Sequence, residues 1–207
     1  MEHVTLPITR SLYRANETPQ YAHFLTSGMA SIMTAMQDGH ALEVGLVGND
    51  GLVEAFHLLG TTCISTEGLV QIEGTALRIS FADLRREFLN STPLRSLVLQ
   101  QVQRQSLIVS QLAACNYFHQ VEERLARWLL MIQDVLQSDS FFLTQEFLAE
   151  MIGVRRPTLT VAAVKLQRCG FIEYNRGHIH ILNRTRIENI ACECYSVVRE
   201  ISGSGKS

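Results

Sequence analysis

Adjacent Arg155 and Arg156 are followed at helical spacing by Thr158, Thr160 and Lys165, then by Arg176 and His178. A guanidinium fork pairs bidentately with the O6 and N7 edge of guanine. Threonine donates to phosphate or touches a thymine methyl, and lysine meets phosphate as a point charge. Thr144, at the head of the same segment, adds a hydroxyl. Taken singly, each of these side chains is equally well a solvated surface group; their joint placement carries the reading.

The elements that must hold them are legible. Phe147, Leu148, Met151 and Ile152 supply the apolar face of a first short helix, with Thr144 as its N-cap. Phe147 stands where a capping box would need Glu or Gln, so no box is expected. Gly153 permits a sharp turn. Pro157 suits a first helical turn, where its missing N–H costs nothing. The second helix is expected from Arg156 to Cys169, with Leu159, Ala162, Ala163 and Leu166 inward and Arg155, Arg156, Thr158, Thr160 and Val161 exposed. A hairpin from Ile172 to Leu182 follows, turning at Asn175-Arg176-Gly177. Helix, turn, helix and wing imply a second helix that enters the DNA major groove.

Charge agrees with this placement. The 207-residue chain has a net charge of −2, yet residues 140–186 hold seven Arg and Lys against three acids, leaving the remainder acidic. A basic module on an acidic body suits phosphate contact through one face. With 46% hydrophobic and 18% charged residues the composition is that of a globular protein. There is no apolar run long enough to span a membrane. The start, Met-Glu-His-Val-Thr-Leu-Pro, lacks the basic and apolar regions of a signal peptide. Five scattered cysteines, at 63, 115, 169, 192 and 194, read as reduced thiols in a cytoplasmic protein. No Ser-His-Asp or paired-carboxylate pattern argues for an enzyme.

Residues 1–83 read as eight or so short strands, among them His23-Phe-Leu, Ala30 to Met36, Glu43 to Val47 and Gly68 to Ile72, with a hairpin turn at Gln37-Asp-Gly39. That pattern implies a sandwich or jelly roll. A short helix is expected from Phe81 to Phe88, and a long one from Leu94 to about Asn116. In the long helix Val98, Val102, Val109 and Leu112, with Gln105 as the polar position, form a coiled-coil-like stripe that predicts dimerisation. Leu94, Leu97, Leu107 and Ile108 cover a second face, expected to pack on the helix's own domain. A further helix from Gln120 to Leu136 places Val121, Leu125, Trp128, Leu129 and Ile132 at core spacing. The fold class is α+β.

On these residues the chain resembles the Crp/Fnr family of bacterial transcription regulators. The resemblance is strong over Thr144 to Leu166, Gly170-Phe-Ile and Arg176-Gly-His-Ile-His-Ile-Leu182. It is looser but continuous through Leu12 to Glu17, His23 to Gly28, Glu43 to Val53 and Glu73 to Arg78. It implies a cyclic-nucleotide-binding-like β-roll over 1–90, a dimerisation helix over 91–117, a winged helix-turn-helix over 118–202 and a flexible tail over 203–207. It also implies a homodimer on a palindromic duplex, with RNA polymerase as a candidate partner and an effector of unknown chemistry.

Departures narrow the expectation. The family's recognition helix carries an Arg-Glu pair and a further arginine; Arg156 matches the first, while Pro157 and Val161 replace the others. Its cyclic-nucleotide binders use a Gly-Glu pair for ribose and an Arg-Ser or Arg-Thr pair for phosphate. Glu54 lies near the first, but Gly60-Thr-Thr-Cys-Ile-Ser65 contains no arginine. A buried phosphate without its guanidinium is poorly neutralised, which argues against cAMP. Glu54, Thr61, Thr62 and Gln105 remain as a weak effector set. The first cysteine is Cys63, so the N-terminal cluster of iron–sulfur members is absent.

Cys192-Glu-Cys194 offers two thiols with no third or fourth ligand nearby in sequence, so no metal site is expected there. Gly203-Ser-Gly-Lys-Ser207 imitates the end of a phosphate loop, but Glu200 stands where its first glycine belongs. The alternative to a DNA regulator is a ligand, redox or metal sensor whose helix-turn-helix serves protein contact.

Overall fold

The computed structural model describes residues 1–49, 51–61 and 63–203. They divide into two compact units. One comprises Met1–Gly39 with Glu43–Ser106; the other comprises His40–Leu42 with the chain from Leu107 onward. The division falls inside the long helix.

The first unit is built on a five-stranded sheet. Strands β1 (Glu2–Leu6), β5 (Thr66–Ser80), β3 (Tyr21–Ala35) and β4 (Ala41–Val47) are neighbours in that order, and β2 (Ser11–Tyr13) also pairs with β5. Eight short strands were expected. Instead β3 and β5 each run 15 residues and pair along most of their length. The interruptions that looked like strand ends are register shifts around Leu25, Ser27 and Met29. Bulges of this kind bend a strand without ending it. The turn at Gln37-Asp-Gly39 lies where expected, between β3 and β4, with the Gly39 N–H donating to the Met36 carbonyl at 3.1 Å.

Inward residues of these strands, Leu6, Tyr13, Leu25, Ala30, Ile32, Val47, Val70 and Ala76, make the core together with Val53 from the segment after β4. A second cluster joins Ala22, Leu52, Ala55 and Leu58 to α1 (Phe81–Asn90) through Phe81, Leu84 and Phe88.

Helix α2 (Thr92–Phe118) is longer than expected and mixes its two expected faces: Leu94 packs on its own unit as expected, but other positions exchange roles. Val98 and Val102, read as the dimer stripe, are only 4% and 7% exposed and belong to the second cluster of their own unit. Leu97 and Leu107, read as packing on the body, are exposed, as are Leu99, Val109, Tyr117 and Phe118; Gln105 and Leu112 are half-buried. Spacing alone could not say which of two apolar stripes meets the domain. The choice is made by Leu52, whose N–H donates to Gln101 Oε1 at 3.1 Å and whose carbonyl accepts from Gln101 Nε2 at 2.9 Å. That amide pairing turns the Val98 and Val102 face inward.

The second unit is built on α3 (Val121–Leu136), with Leu125, Trp128, Leu129 and Ile132 fully buried at the expected spacing. Around it stand α4 (Gln145–Met151), α5 (Arg156–Arg168), α6 (Arg184–Ile190), α7 (Cys194–Ser202) and a three-stranded sheet. Its order is β6 (Ser140–Phe142), β8 (His178–Ile181), β7 (Ile172–Asn175). The first of these strands was not foreseen; Gln137 to Ser140 read as a linker. No helix among the described residues is long and apolar enough to cross a membrane.

Candidate nucleic-acid interface

The two-helix motif forms as its residue types dictate. Thr144 caps α4 by accepting from the Phe147 N–H at 3.2 Å. Gly153 takes φ +63°, the left-handed conformation that the turn needs and a side chain would resist. Pro157 occupies the first turn of α5. Leu159, Ala162, Ala163 and Leu166 are buried on its inner face.

The outer face of α5 exposes Arg155, Arg156, Pro157, Thr158 and Lys165, and Val161 is 69% exposed. Thr160 departs from this set. It is half-buried, and its hydroxyl bonds Gln145 Oε1 at 2.9 Å and the Arg156 carbonyl at 3.0 Å. It ties the start of α4 to α5 and positions the helix. Lys165 is exposed but lies 3.1 Å from the Glu122 carboxylate.

The wing is a two-residue hairpin. Arg176 and Gly177 have φ +49° and +87°, and Asn175 pairs with His178, so the turn is of the primed type. This holds Arg176 and His178 at the exposed tip. Strand β6 braces the hairpin: the Leu143 N–H donates to the Gly177 carbonyl at 2.7 Å. Wing and α5 are joined through Tyr174, whose N–H donates to Gln167 Oε1 at 3.0 Å and whose hydroxyl donates to the Leu143 carbonyl at 2.9 Å. Burial pushes that phenol up to about 12, against an opposing pull from Arg156.

Not every cation of the basic segment is available to a ligand. Arg184 is held by Asp134 at 2.8 Å, Glu188 at 2.9 Å and Gln133 Oε1 at 2.9 Å, and bonds the Tyr195 hydroxyl as well. It fastens α6 and α7 to α3, a structural role that a count of charges conceals.

Glu54 is 0% exposed, and its oxygens lie 2.7 Å from the His23 backbone nitrogen and 2.8 Å from the His23 ring Nδ1. Burial raises its pKa, partly countered by His23. Thr61 is exposed and bonds the Cys63 carbonyl at 3.1 Å. Thr62 lies outside the described residues.

The C-terminal thiols need a correction. Cys115 and His119, which the sequence leaves unrelated to Cys192 and Cys194, stand beside them, so the third and fourth donors exist. The Cys115 thiol is drawn well below its usual range, first by its hydrogen bond with Cys192 and then by the charge of Arg127. The signal available in sequence was the one-turn spacing of Cys115 and His119; nothing local linked that pair to the other two.

Residues 123–190 match the Crp-like helix-turn-helix domain. No curated protein matches the chain. Among solved structures, the chain is similar to FixK2 of Bradyrhizobium japonicum, with TM-score 0.77, 13% identity and coverage of 92% of this chain and 97% of that one. A CRP-family transcriptional regulator of Thermus thermophilus gives TM-score 0.76 at 17% identity, covering 92% and 96%. The c-di-GMP-responsive global regulator CLP of Xanthomonas campestris gives 0.73 at 16%, covering 88% and 94%. At such identities the likeness is one of fold. Residues 123–190 thus carry a Crp-like helix-turn-helix domain, within a chain whose fold is that of these solved structures.

Proposed function

We propose that this protein is a homodimeric, sequence-specific DNA-binding transcription regulator. The observation that carries the reading is the exposed array Arg155, Arg156, Thr158 and Val161 on the first turns of α5, within the matched domain. Arg156 would read guanine in the major groove, and the Val161 methyls suit a thymine methyl. Arg155, Lys165 and Thr144 would meet phosphate, while Arg176 and His178 on the wing would meet the backbone or minor groove. Pro157 and Val161, in place of an acid and a further arginine, imply a half-site unlike the family's usual one.

The exposed Leu99, Leu107, Tyr117 and Phe118 of α2 supply an apolar surface for a second copy. Paired about this helix, two α5 helices would read half-sites about one DNA turn apart. The β-roll would bias the dimer between two geometries, one of them competent for the operator. Its effector is unassigned; the inward Glu54 and the lack of a phosphate-binding arginine argue against cAMP. Such a reader would work in the cytoplasm, with RNA polymerase a candidate partner.

The test is selection of bound duplexes from a random pool by the full-length chain. Enrichment of one palindrome, with affinity falling steeply as salt rises, supports the proposal. Recovery of an unenriched pool with a shallow salt slope would sink it and favour a helix-turn-helix used for protein contact. Adding cAMP should leave duplex affinity unchanged within about twofold.

A further inference from the structure

We propose that Cys115, His119, Cys192 and Cys194 form a four-ligand site for a single soft divalent cation of the zinc type. This goes beyond the DNA-binding reading and does not rest on it.

Each residue brings one donor atom, and the four donors lie within 4.8 Å of one another. They come from two distant places in the chain. Cys115 is in the last turn of α2 and His119 follows one turn later, its N–H donating to the Cys115 carbonyl at 3.1 Å. Cys192 and Cys194 flank Glu193 at the start of α7, 77 positions beyond Cys115 for the nearer of them. A Cys-x3-His pair on a helix end and a Cys-x-Cys pair on a helix start converge on one point.

The measured spacings suit one tetrahedral ion. Bond lengths of about 2.3 Å to sulfur and about 2.0 Å to nitrogen place sulfurs about 3.8 Å apart, and sulfur and nitrogen about 3.6 Å apart. Cys115 Sγ and Cys192 Sγ lie 3.5 Å apart, and Cys194 Sγ lies 3.6 Å from His119 Nδ1. The widest separation closes by about 1 Å on binding. Donors gathered on one point suit a single ion rather than a polynuclear cluster.

The surroundings are those of a metal site. His119 presents Nδ1 to the sulfurs, and its other nitrogen, Nε2, lies 3.1 Å from the Glu193 carboxylate. A carboxylate on the far nitrogen fixes the tautomer and raises the basicity of a ligating imidazole. Gln111 donates from Nε2 to Cys194 Sγ at 3.1 Å, a hydrogen bond that favours the thiolate. The three sulfurs are buried, so little water competes.

Charge balance points the same way. Arg124 and Arg127 are 6% and 2% exposed, and among the described residues neither has a carboxylate partner. A buried guanidinium requires a compensating anion. Three thiolates and an imidazole around a divalent ion carry one net negative charge, which offsets one of these two guanidinium charges. A disulfide between two of these cysteines would be neutral and would leave His119 and its carboxylate without a purpose.

Four protein donors fill a tetrahedron, so the site has no open position for substrate and would be structural. It would fasten the end of α2 to the start of α7.

The experiment is metal analysis of the full-length chain, purified reduced and without added metal, followed by titration of the stripped protein with cobalt(II). We expect about one equivalent of zinc per chain, and thiolate-to-cobalt charge-transfer bands with tetrahedral d–d bands. Cys192→Ser/Cys194→Ser should hold less than about a tenth of an equivalent. Glu193→Gln changes an exposed residue and should not unfold the chain. It should keep the stoichiometry while losing about 10- to 100-fold in affinity against a competing chelator. His119→Cys should still bind cobalt, with spectra shifted toward four-thiolate ligation. Absence of cobalt bands in the fully reduced, folded wild-type chain would overturn the proposal. So would a Cys115–Cys192 disulfide in non-reduced peptides, or an unchanged affinity in Glu193→Gln.

Discussion

The rings of Tyr13 and His57 meet edge-on, with centroids 4.5 Å apart and planes at 82°. The imidazole is 1% exposed, and Phe81 closes its other side at 6.1 Å. Burial drives its pKa from 6.5 down to about 4, offset only in part by the Glu54 backbone. A depressed imidazole is protonated in the unfolded chain before it is protonated in the folded one. Its contribution is therefore full above pH 6.5 and is lost as pH falls toward 4. The shift corresponds to about 3 kcal/mol across that window. His57→Leu should leave stability near pH 7 within about 1 kcal/mol of wild type and flatten the acid side of the profile. Urea unfolding at both ends of the window measures this; an unchanged acid slope would count against a neutral, caged His57.

At the DNA-reading face, two arginines should fail differently. Arg156→Ala should cost about 1–3 kcal/mol per half-site on the selected operator and little on random duplex. Arg176→Ala should weaken both duplexes alike and reduce the salt slope by about one. Fluorescence anisotropy at several salt concentrations separates the two. Equal losses on operator and random duplex for Arg156→Ala would remove it from base readout.

The two stripes of α2 give opposite expectations. Val102→Ala, within the β-roll's own cluster, should destabilise by about 1–3 kcal/mol without changing the mass in solution. Leu107→Lys, at an exposed position, should hardly alter unfolding but shift the population toward monomer. Sedimentation velocity with a parallel thermal melt decides. If Val102→Ala, and not Leu107→Lys, releases monomer, the dimer surface has been misplaced.

At the wing tip, a Cβ on Gly177 would come within 2.6 Å of the Phe142 ring, and the residue has φ +87°. Gly177→Ala should cost about 1–2 kcal/mol and loosen Arg176. Amide exchange of the Ile172–Ile181 hairpin reports it; undiminished protection would show that the turn tolerates a side chain.

The motif from Thr144 to Ile181 was legible because each element carries a local signal: a cap, a turn glycine, a first-turn proline and a two-residue hairpin. Even the apolar face of α5 followed from spacing alone. Long-range pairings were not legible. The 15-residue course of β3 and β5 is hidden by bulges that imitate strand ends. The inward face of α2 depends on Gln101 meeting Leu52. Arg184 adds to the basic count of 140–186, but Asp134 and Glu188 hold it. Cys115 and Cys192, in contact at 3.5 Å, share no sequence signal because only the fold brings them together.

Strand β6 bears on how this domain could be excised. Because Ser140–Phe142 pairs with β8, and α3 supplies the buried Trp128, a fragment cut at Thr144 would forfeit both the brace of the hairpin and the floor beneath α5. A cut at Val121 would keep these and discard Cys115 and His119. A fragment that also keeps the proposed metal site and its Gln111 contact therefore begins upstream of Gln111, within the long helix.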